Sequence, residues 1–227
     1  WVNSLGMRFV PVPGTDVLFS VWETCVQDYA AFAGAATGVD STWRNQGRSQ
    51  EETHPVVAVS WDDAQRFCVW LTEKDRREGK LTATQTYRLP TDAEWSWAVG
   101  IGDREGGGTP KEKDEKLKDV FPWGTQWPPP SGAGNYSPSL SVDSFERTSP
   151  VGSFQANTLR LHDLGGNVWE WCSDFYDGQS GSRVVRGASW YNHVRSALLS
   201  SLRLSYSPVL QFNTVGFRCV LAPEVSR

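Results

Sequence analysis

Long apolar runs are missing from this 227-residue sequence: none approaches the ~18 residues that a membrane-spanning helix requires. Nor does any extended run of one charge sign occur. The net charge is −4, and acidic and basic residues are interspersed even in the densest stretch, "PKEKDEKLKD" (Pro110 to Asp119), which reads as a solvated loop. That balance excludes a basic groove for nucleic acid and a basic membrane face. Histidine is scarce, at positions 54, 162 and 193 only, too scattered for a histidine-based metal triad. The four cysteines, at 25, 68, 172 and 219, include no pair at metal-ligand spacing such as C-x-x-C. Each has apolar or aromatic neighbours, so buried free thiols are expected, with a Cys172–Cys219 disulfide as the alternative. The start has no signal-peptide pattern, and Trp1 in place of Met marks the chain as a fragment or processed product.

What the chain has in abundance is tryptophan. There are 12, many beside Gly, Pro, Asn or Asp. Side chains that each bury a large area can hold a loop-rich domain together. "MRFVPVPG" (Met7 to Gly14) and "DVLFSVWE" (Asp16 to Glu23) read as a strand hairpin. A helix follows, with Thr24 as N-cap and Cys25, Tyr29, Phe32 and Ala36 on one face. Ser60 and Asp63 open a second helix, with Ala64, Phe67, Cys68 and Leu71 at i, i+3, i+4, i+7 and Gly79 as its end. Thr91 and Glu94 stand in capping-box register before a short third helix carrying Trp95 and Ala98. From Ile101 to about Leu161 no element is legible, a length that is uncommon unless the segment is functional or clipped by ligands. Strand candidates then close the chain: "NVWEWCSDFY", "RVVRGASW" and "VGFRCVLA". With neither a linker nor an internal repeat, residues 1–227 read as one α+β domain.

Five motifs occur in order: "RLPTDAEWSWAV", "FPWG", "GGNVWEWCSD", "RVVRGASW" and "GFRCV". Together they resemble the formylglycine-generating enzyme family, or sulfatase-modifying-factor domain, over nearly the whole chain from "NSLGMRFVPVPG" onward. The resemblance implies the family's variant of the C-type lectin fold: small antiparallel sheets, two to three helices and much irregular loop. It also implies structural Ca²⁺, an ion that takes hard oxygen ligands. One set maps onto the side chains of Asn135 and Asp143 with the carbonyls of Tyr136 and Phe145. A second maps onto Asp163 and Glu170 with the carbonyls of Gly166 and Val168. The alternative is that these carboxylates cap turns or pair with arginines such as Arg186 and Arg218.

The family's oxidase holds copper(I) with two cysteines, since that soft ion prefers thiolates. Those positions fall here on Asn192 and Ala197, so no copper is expected. The iron-dependent branch of the family needs a histidine set and an extra helical domain, both missing here, so no iron is expected either. A formylglycine-generating-enzyme-like oxidoreductase, or another metal-dependent enzyme with a non-standard site, stands as the alternative to a non-catalytic reading.

Fold alone does not fix function. The segment from Arg186 to Val220 keeps neither a helical nor a strand period between Tyr191 and Thr214. It offers Tyr191, Asn192, His193, Leu199, Ser201, Leu204, Tyr206, Val209, Leu210, Phe212 and Asn213 as candidate ligand contacts. Tyr, Ser and Asn mixtures suit adaptable binding loops. The layout is similar to that of the variable proteins of diversity-generating retroelements, in which adenines of AAC-type codons are rewritten upstream of a "GFR" strand. Such rewriting never yields Lys, Glu, Gln, Met or Trp, and between Tyr191 and Thr214 only Gln211 belongs to that set. Within the segment, Leu198, Leu202 and Leu204 are the candidates for core, and Arg195, Arg203 and Pro208 for framework. The expectation is a monomeric, non-catalytic module that binds a protein or a small ligand through this segment. The same resemblance implies a bacterial source, and a cytoplasmic or cell-surface setting within a larger protein.

Overall fold

The N-terminal alternation forms a hairpin shorter than its pattern suggests. In the computed structural model, which describes residues 1–46, 51–179 and 181–223, β1 (Phe9–Pro11) pairs antiparallel with β2 (Leu18–Ser20), Phe9 opposite Ser20. Pro11 and Pro13 carry no N–H, so the ladder cannot extend. Helix α1 (Val26–Ala35) begins one residue later than expected, with Cys25 at the N-cap. The Asp28 carboxylate accepts from the Cys25 N–H at 3.1 Å. Thr24 is occupied elsewhere, its N–H donating to the Phe217 carbonyl at 2.9 Å.

Helix α2 (Trp61–Arg77) follows its sequence signals closely. Ser60 Oγ accepts from the Asp63 N–H at 3.1 Å, Gly79 stands at φ +70°, and Lys74, Arg76 and Arg77 complement the dipole of the last turn. Ala64, Phe67, Cys68 and Leu71 are all buried. Burial of a side chain such as Phe67 or Leu71 contributes roughly 1.5–3 kcal/mol. Strand β3 (Gln85–Arg88) was not legible, because only Tyr87 of its four residues is buried. Helix α3 (Asp92–Ala98) has the reciprocal Thr91–Glu94 cap, with Trp95 and Ala98 fully buried.

The long segment after it holds two single-turn helices, α4 (Gly102–Glu105) and α5 (Pro110–Lys113), the latter capped by Thr109 and Glu112. Five strands follow: β4 (Trp169–Phe175), β5 (Arg183–Arg186), β6 (Leu204–Tyr206), β7 (Val215–Gly216) and β8 (Val220–Pro223). They complete two four-stranded sheets, ordered β1-β2-β8-β3 and β6-β5-β4-β7. The first is antiparallel, whereas β7 pairs parallel with β4 in the second. "VGFRCVLA" is therefore two strands rather than one. The chain leaves the second sheet after Gly216 and enters the first at Val220. A Cβ on Gly216 would stand 2.5 Å from the Val56 carbonyl oxygen, which explains the glycine in "GFR". Between the sheets, Phe217 packs at 5.4 Å from Phe67 and 6.3 Å from Tyr29, joining the C-terminal strands to α1 and α2. Among the described residues, no helix is long and apolar enough to cross a membrane.

Candidate functional site: a loop segment pinned by buried arginines

The C-terminal segment runs from Arg186 at the end of β5 to Val220 at the start of β8. Three arginines fix it, and all three are fully buried. Burying a charge is costly unless it is paired and hydrogen-bonded, and each of these is. Arg186 pairs with Asp92, donates to the Ser200 carbonyl at 2.8 Å and stacks on Trp95, its guanidinium 4.4 Å from the ring centroid. Arg203 contacts Asp92 at 2.9 Å and Glu105 at 2.6 Å, and also donates to the carbonyls of Ser201 and Lys113. Lys113 adds a third cation on Asp92 at 2.8 Å. Burial works against ionisation of Asp92, but Arg186, Arg203 and Lys113 outweigh it and hold its carboxyl well below the usual carboxylate range. Arg218 binds Glu170 through two nitrogens, at 2.7 and 2.6 Å, and donates to the His162 carbonyl at 2.9 Å. Of the two arginines named from sequence as partners for the carboxylates of the implied Ca²⁺ sets, Arg218 pairs with one of them, Glu170, whereas Arg186 pairs with Asp92, outside those sets.

Between these anchors the chain comes to the surface twice. In the first run, Tyr191 (67% exposed), His193, Val194 and Arg195 are exposed. In the second, Ser205, Ser207, Val209 (68%), Phe212 (41%) and Asn213 are exposed, while Tyr206, Leu210 and Gln211 are half-buried. Trp190 connects the runs. Its ring meets Tyr191 at 5.9 Å, and its Nε1–H donates to the Asn213 carbonyl at 3.3 Å. Phe212 and Tyr206 meet edge-to-face at 5.3 Å, and Tyr206 rests at 6.3 Å from the buried Trp171. The backbone of the second run is tied to the scaffold: the Ala58 N–H donates to the Phe212 carbonyl, and the Trp61 N–H to that of Pro208.

Several candidate positions need correction. Leu199 and Ser201 are buried and cannot contact a ligand in this conformation. The Ser201 hydroxyl accepts from the Leu117 N–H at 3.1 Å, so it ties the segment to the long loop. Leu198 and Leu202 are core, and Leu204 is half-buried in β6 opposite Val185. Asn192 is half-buried, and its Oδ1 accepts from both the N–H and hydroxyl of Ser189, shaping the turn. Arg195, read as framework, is exposed and pairs with Asp119 at 2.6 Å on the surface. Trp190 was missed as a site residue. Its place beside the "GAS" turn gave no signal that its indole would span to Asn213.

The positions that hold copper cysteines in the resembling oxidase are here a turn-forming Asn192 and a half-buried Ala197 that packs against the core. All four thiols are free and buried. The expected alternative pairing of Cys172 with Cys219 does not form; the neighbour of Cys219 is Cys68. Burial pushes the thiols of Cys25, Cys68 and Cys172 up, away from the thiolate form that binds soft metals. Among the described residues, no group of three or more His, Cys, Asp or Glu side chains is placed to hold a metal.

The two oxygen sets implied for Ca²⁺ differ in fit. In the first, Asp143 accepts from the Tyr136 N–H at 3.0 Å and the Phe145 N–H at 2.8 Å. Beside it the buried Asn135 Nδ2 donates to the Arg147 carbonyl at 2.7 Å, while its Oδ1 has no hydrogen-bond partner. The carbonyls of Tyr136 and Phe145 accept no hydrogen bond among the described residues. That is a hard-oxygen set with acceptor capacity to spare, and it fits the ion. In the second set, Glu170 is committed to Arg218 and to the Trp95 Nε1–H at 2.9 Å. Asp163 accepts from the Gly152 N–H at 2.7 Å with one oxygen and leaves the other without a partner. Gly166 lies against Asn135, whose carbonyl oxygen would stand 2.4 Å from an added Cβ, and Val168 is buried. With Glu170 already engaged, the second set does not fit.

Sequence reading also missed Glu23. It is fully buried, with neither carboxylate oxygen hydrogen-bonded. Burial, reinforced by the nearby charge of Asp163, raises its carboxyl well above the usual range, and burial raises Asp163 as well. The Arg218 charge acts on Glu23, Asp163 and Glu170 alike.

Comparison with known proteins places this geometry. The family described as "Sulfatase-modifying factor enzyme 1-like domain" matches residues 7–223. "Inactive C-alpha-formylglycine-generating enzyme 2" of Bos taurus is 33% identical over 182 residues, covering 73% of this chain and 49% of that protein. "Formylglycine-generating enzyme" of Mus musculus is 30% identical over 191 residues, covering 73% of this chain and 44% of the other. The chain thus spans about half the length of the curated relatives it matches. Among solved structures, "Treponema denticola variable protein 1" superposes with a TM-score of 0.61 at 21% identity, covering 98% of this chain and 94% of that one. "PvdO from Pseudomonas aeruginosa" gives 0.63 at 21% identity, covering 96% and 91%.

Proposed function

We propose a binding function for this chain, which belongs to the sulfatase-modifying factor enzyme 1-like family and has the C-type lectin fold in that family's form. In this reading the segment from Arg186 to Val220 is a recognition surface, and the protein is non-catalytic. One observation carries it: the segment is pinned at three points by buried arginine ion pairs, while Tyr191, His193, Val209, Phe212 and Asn213 between them face solvent. Exposed aromatic and aliphatic side chains grouped in this way mark interaction surfaces. Tyrosine offers contact area at low entropic cost. A surface of this construction tolerates sequence change because the scaffold does the folding. That property supports a variable protein of a diversity-generating retroelement, binding a protein or a small ligand, and likeness to the Treponema denticola variable protein points the same way.

The test is a displayed library. With residues 191, 193, 206, 209, 210 and 212 randomised together, most members are expected to stay folded, read as resistance to protease. A library randomised at 186, 203 and 218 is expected to lose nearly all folded members. Equal losses in both would defeat the reading. A gene neighbourhood holding a reverse transcriptase and a near-copy of the coding sequence for Arg186 to Val220 would establish diversification; a locus with neither would remove it.

The first oxygen set supports a structural Ca²⁺ held by Asn135 and Asp143 with the carbonyls of Tyr136 and Phe145. Such an ion would clip a long loop in place and needs no role in chemistry. An ion that binds only the folded state stabilises it by mass action, by about 2.7 kcal/mol at a hundredfold excess over Kd. Chelation is therefore expected to lower the melting temperature by several degrees, with recovery on adding Ca²⁺. Asp143→Asn should abolish that response. Identical melts with and without chelator would exclude the ion.

A further inference from the structure

Of the large apolar side chains exposed among the described residues, four belong to the recognition segment and two are the first two of the chain. The remaining one, Val69, is 58% exposed at the midpoint of α2. It stands beside a groove of about 470 Å³, lined by Phe32 and Ala36 from the α1 side and by Trp70 from α2. The Trp70 ring packs 5.6 Å from Phe32 and 5.8 Å from Phe67, which fixes the wall of the groove. The charges around Val69 have an order. On a helix, positions three, four and seven residues away share a face. Asp62 stands seven residues before Val69 and Arg76 seven after it; Arg66 stands three before and Glu73 four after. All four are exposed. The carboxylates of Asp62 and Glu73 enter no ion pair among the described residues. Both arginine heads are held in place. Arg66 donates to the carbonyls of Thr37 and Gly38 at 2.8 Å and pairs with Asp63 at 3.4 Å. Arg76 donates to those of Ala83 and Gln85 at 3.0 and 2.9 Å.

We propose that this face of α2 docks on the same face of a second copy of the chain, the two helices running antiparallel about a two-fold axis beside Val69. A two-fold contact brings one patch against itself, so that residue i meets residue j and j meets i. With Val69 at the axis, the antiparallel register sets Asp62 opposite Arg76 of the second copy and Arg66 beside its Glu73, and each pair occurs twice. The same helices laid parallel would set Asp62 against Asp62 and Arg66 against Arg66, where like charges repel. Val69 enters the groove of the other copy, beside Phe32 and Trp70, and its apolar surface leaves water. A contact of one helix pair belongs to the class of small, reversible interfaces, so the monomer expected from sequence is the dilute form. Self-association of this kind needs no ligand on the recognition segment. It does set how that segment is displayed. The Trp61 N–H donates to the Pro208 carbonyl, so the second exposed run lies at the N-terminus of α2. Antiparallel pairing carries the two N-termini to opposite ends, roughly 25 Å apart at 1.5 Å per residue. The dimer then presents two recognition segments, which raises avidity for a ligand that repeats.

The experiment is sedimentation velocity on the full chain, from low to high micromolar concentration. The sedimenting mass is expected to rise from one chain of 25.3 kDa toward two. Val69→Arg sets two like charges at the axis and should weaken association by about tenfold or more. Glu73→Arg and Arg66→Glu should each sediment as monomers, because each meets its own copy with like charges. Mixed in equal amounts, they should associate again, since each supplies the charge that the other lacks. If Arg66→Glu loses its fold along with its bonds to Thr37 and Gly38, the unmodified chain and Val69→Arg still decide. A mass that stays at one chain at the highest concentration would overturn the proposal. So would a dimer that Val69→Arg leaves intact, or two folded charge variants whose mixture remains monomeric.

Discussion

Arg203→Met is expected to lower the stability of this protein by about 3–5 kcal/mol, the usual loss when one partner of a buried ion pair is removed. Arg203 is the only cation on Glu105 among the described residues and one of three on Asp92. Its loss leaves Glu105, whose side chain is 2% exposed, with the Ser96 hydroxyl as partner at 2.7 Å. Methionine fills much of the volume but donates nothing. Arg203→Lys is not a conservative alternative, because one ammonium cannot reach Asp92, Glu105 and two carbonyls in the planar fork that arginine provides. Denaturant titration reads the loss. The pH dependence should change with it. The folded Asp92 carboxyl titrates below its unfolded value, so its contribution is complete above about pH 4 and vanishes as the pH falls toward the folded value. With Arg203 gone, the folded value moves back toward the unfolded one, and the part of acid denaturation that Asp92 drives becomes shallower. A loss under 1 kcal/mol with an unchanged acid limb would show that Arg186 and Lys113 suffice.

Arg218→Met is expected to cost a similar ~3–5 kcal/mol, for a different reason. It strips the cation from a site where Glu170, Asp163 and Glu23 lie close together, the last with neither oxygen bonded. Charge removal should therefore rescue it. The double variant Arg218→Met, Glu23→Gln is expected to recover part of the loss, a coupling that a double-mutant cycle measures directly. Acid should also rescue it. Glu23 and Asp163 titrate above their unfolded values, so the folded state takes up protons there more readily. The stability linked to those protons is present at low pH and falls as the pH rises through the folded values. The deficit of Arg218→Met should thus be smaller at pH 5 than at pH 8. Equal deficits at both, with no rescue by Glu23→Gln, would assign Arg218 a packing role alone.

The sequence by itself determined the elements whose signals are local. Ser60 with Asp63, and Thr91 with Glu94, mark helix starts because a side-chain oxygen three residues from a free N–H closes a bond within one turn. The stripe of Ala64, Phe67, Cys68 and Leu71 shows which face of α2 is buried, since 3.6-residue periodicity is a property of the chain. The ordered motifs carried the family and hence the fold, and they placed the exposed segment between two framework stretches. Only the tertiary structure decided what holds that segment. Nothing in the sequence spacing joins Arg203 to Asp92 and Glu105, or Cys68 to Cys219, because those contacts cross 111, 98 and 151 residues. Sequence alternation could not show that Leu202 and Arg203 are both buried, nor that Ser201 faces inward to the long loop. It could not show that Glu170 is already taken by Arg218 either. A carboxylate looks the same in sequence whether it meets a metal, an arginine or, as with Glu23, no hydrogen-bond partner, and the packing around it makes that choice.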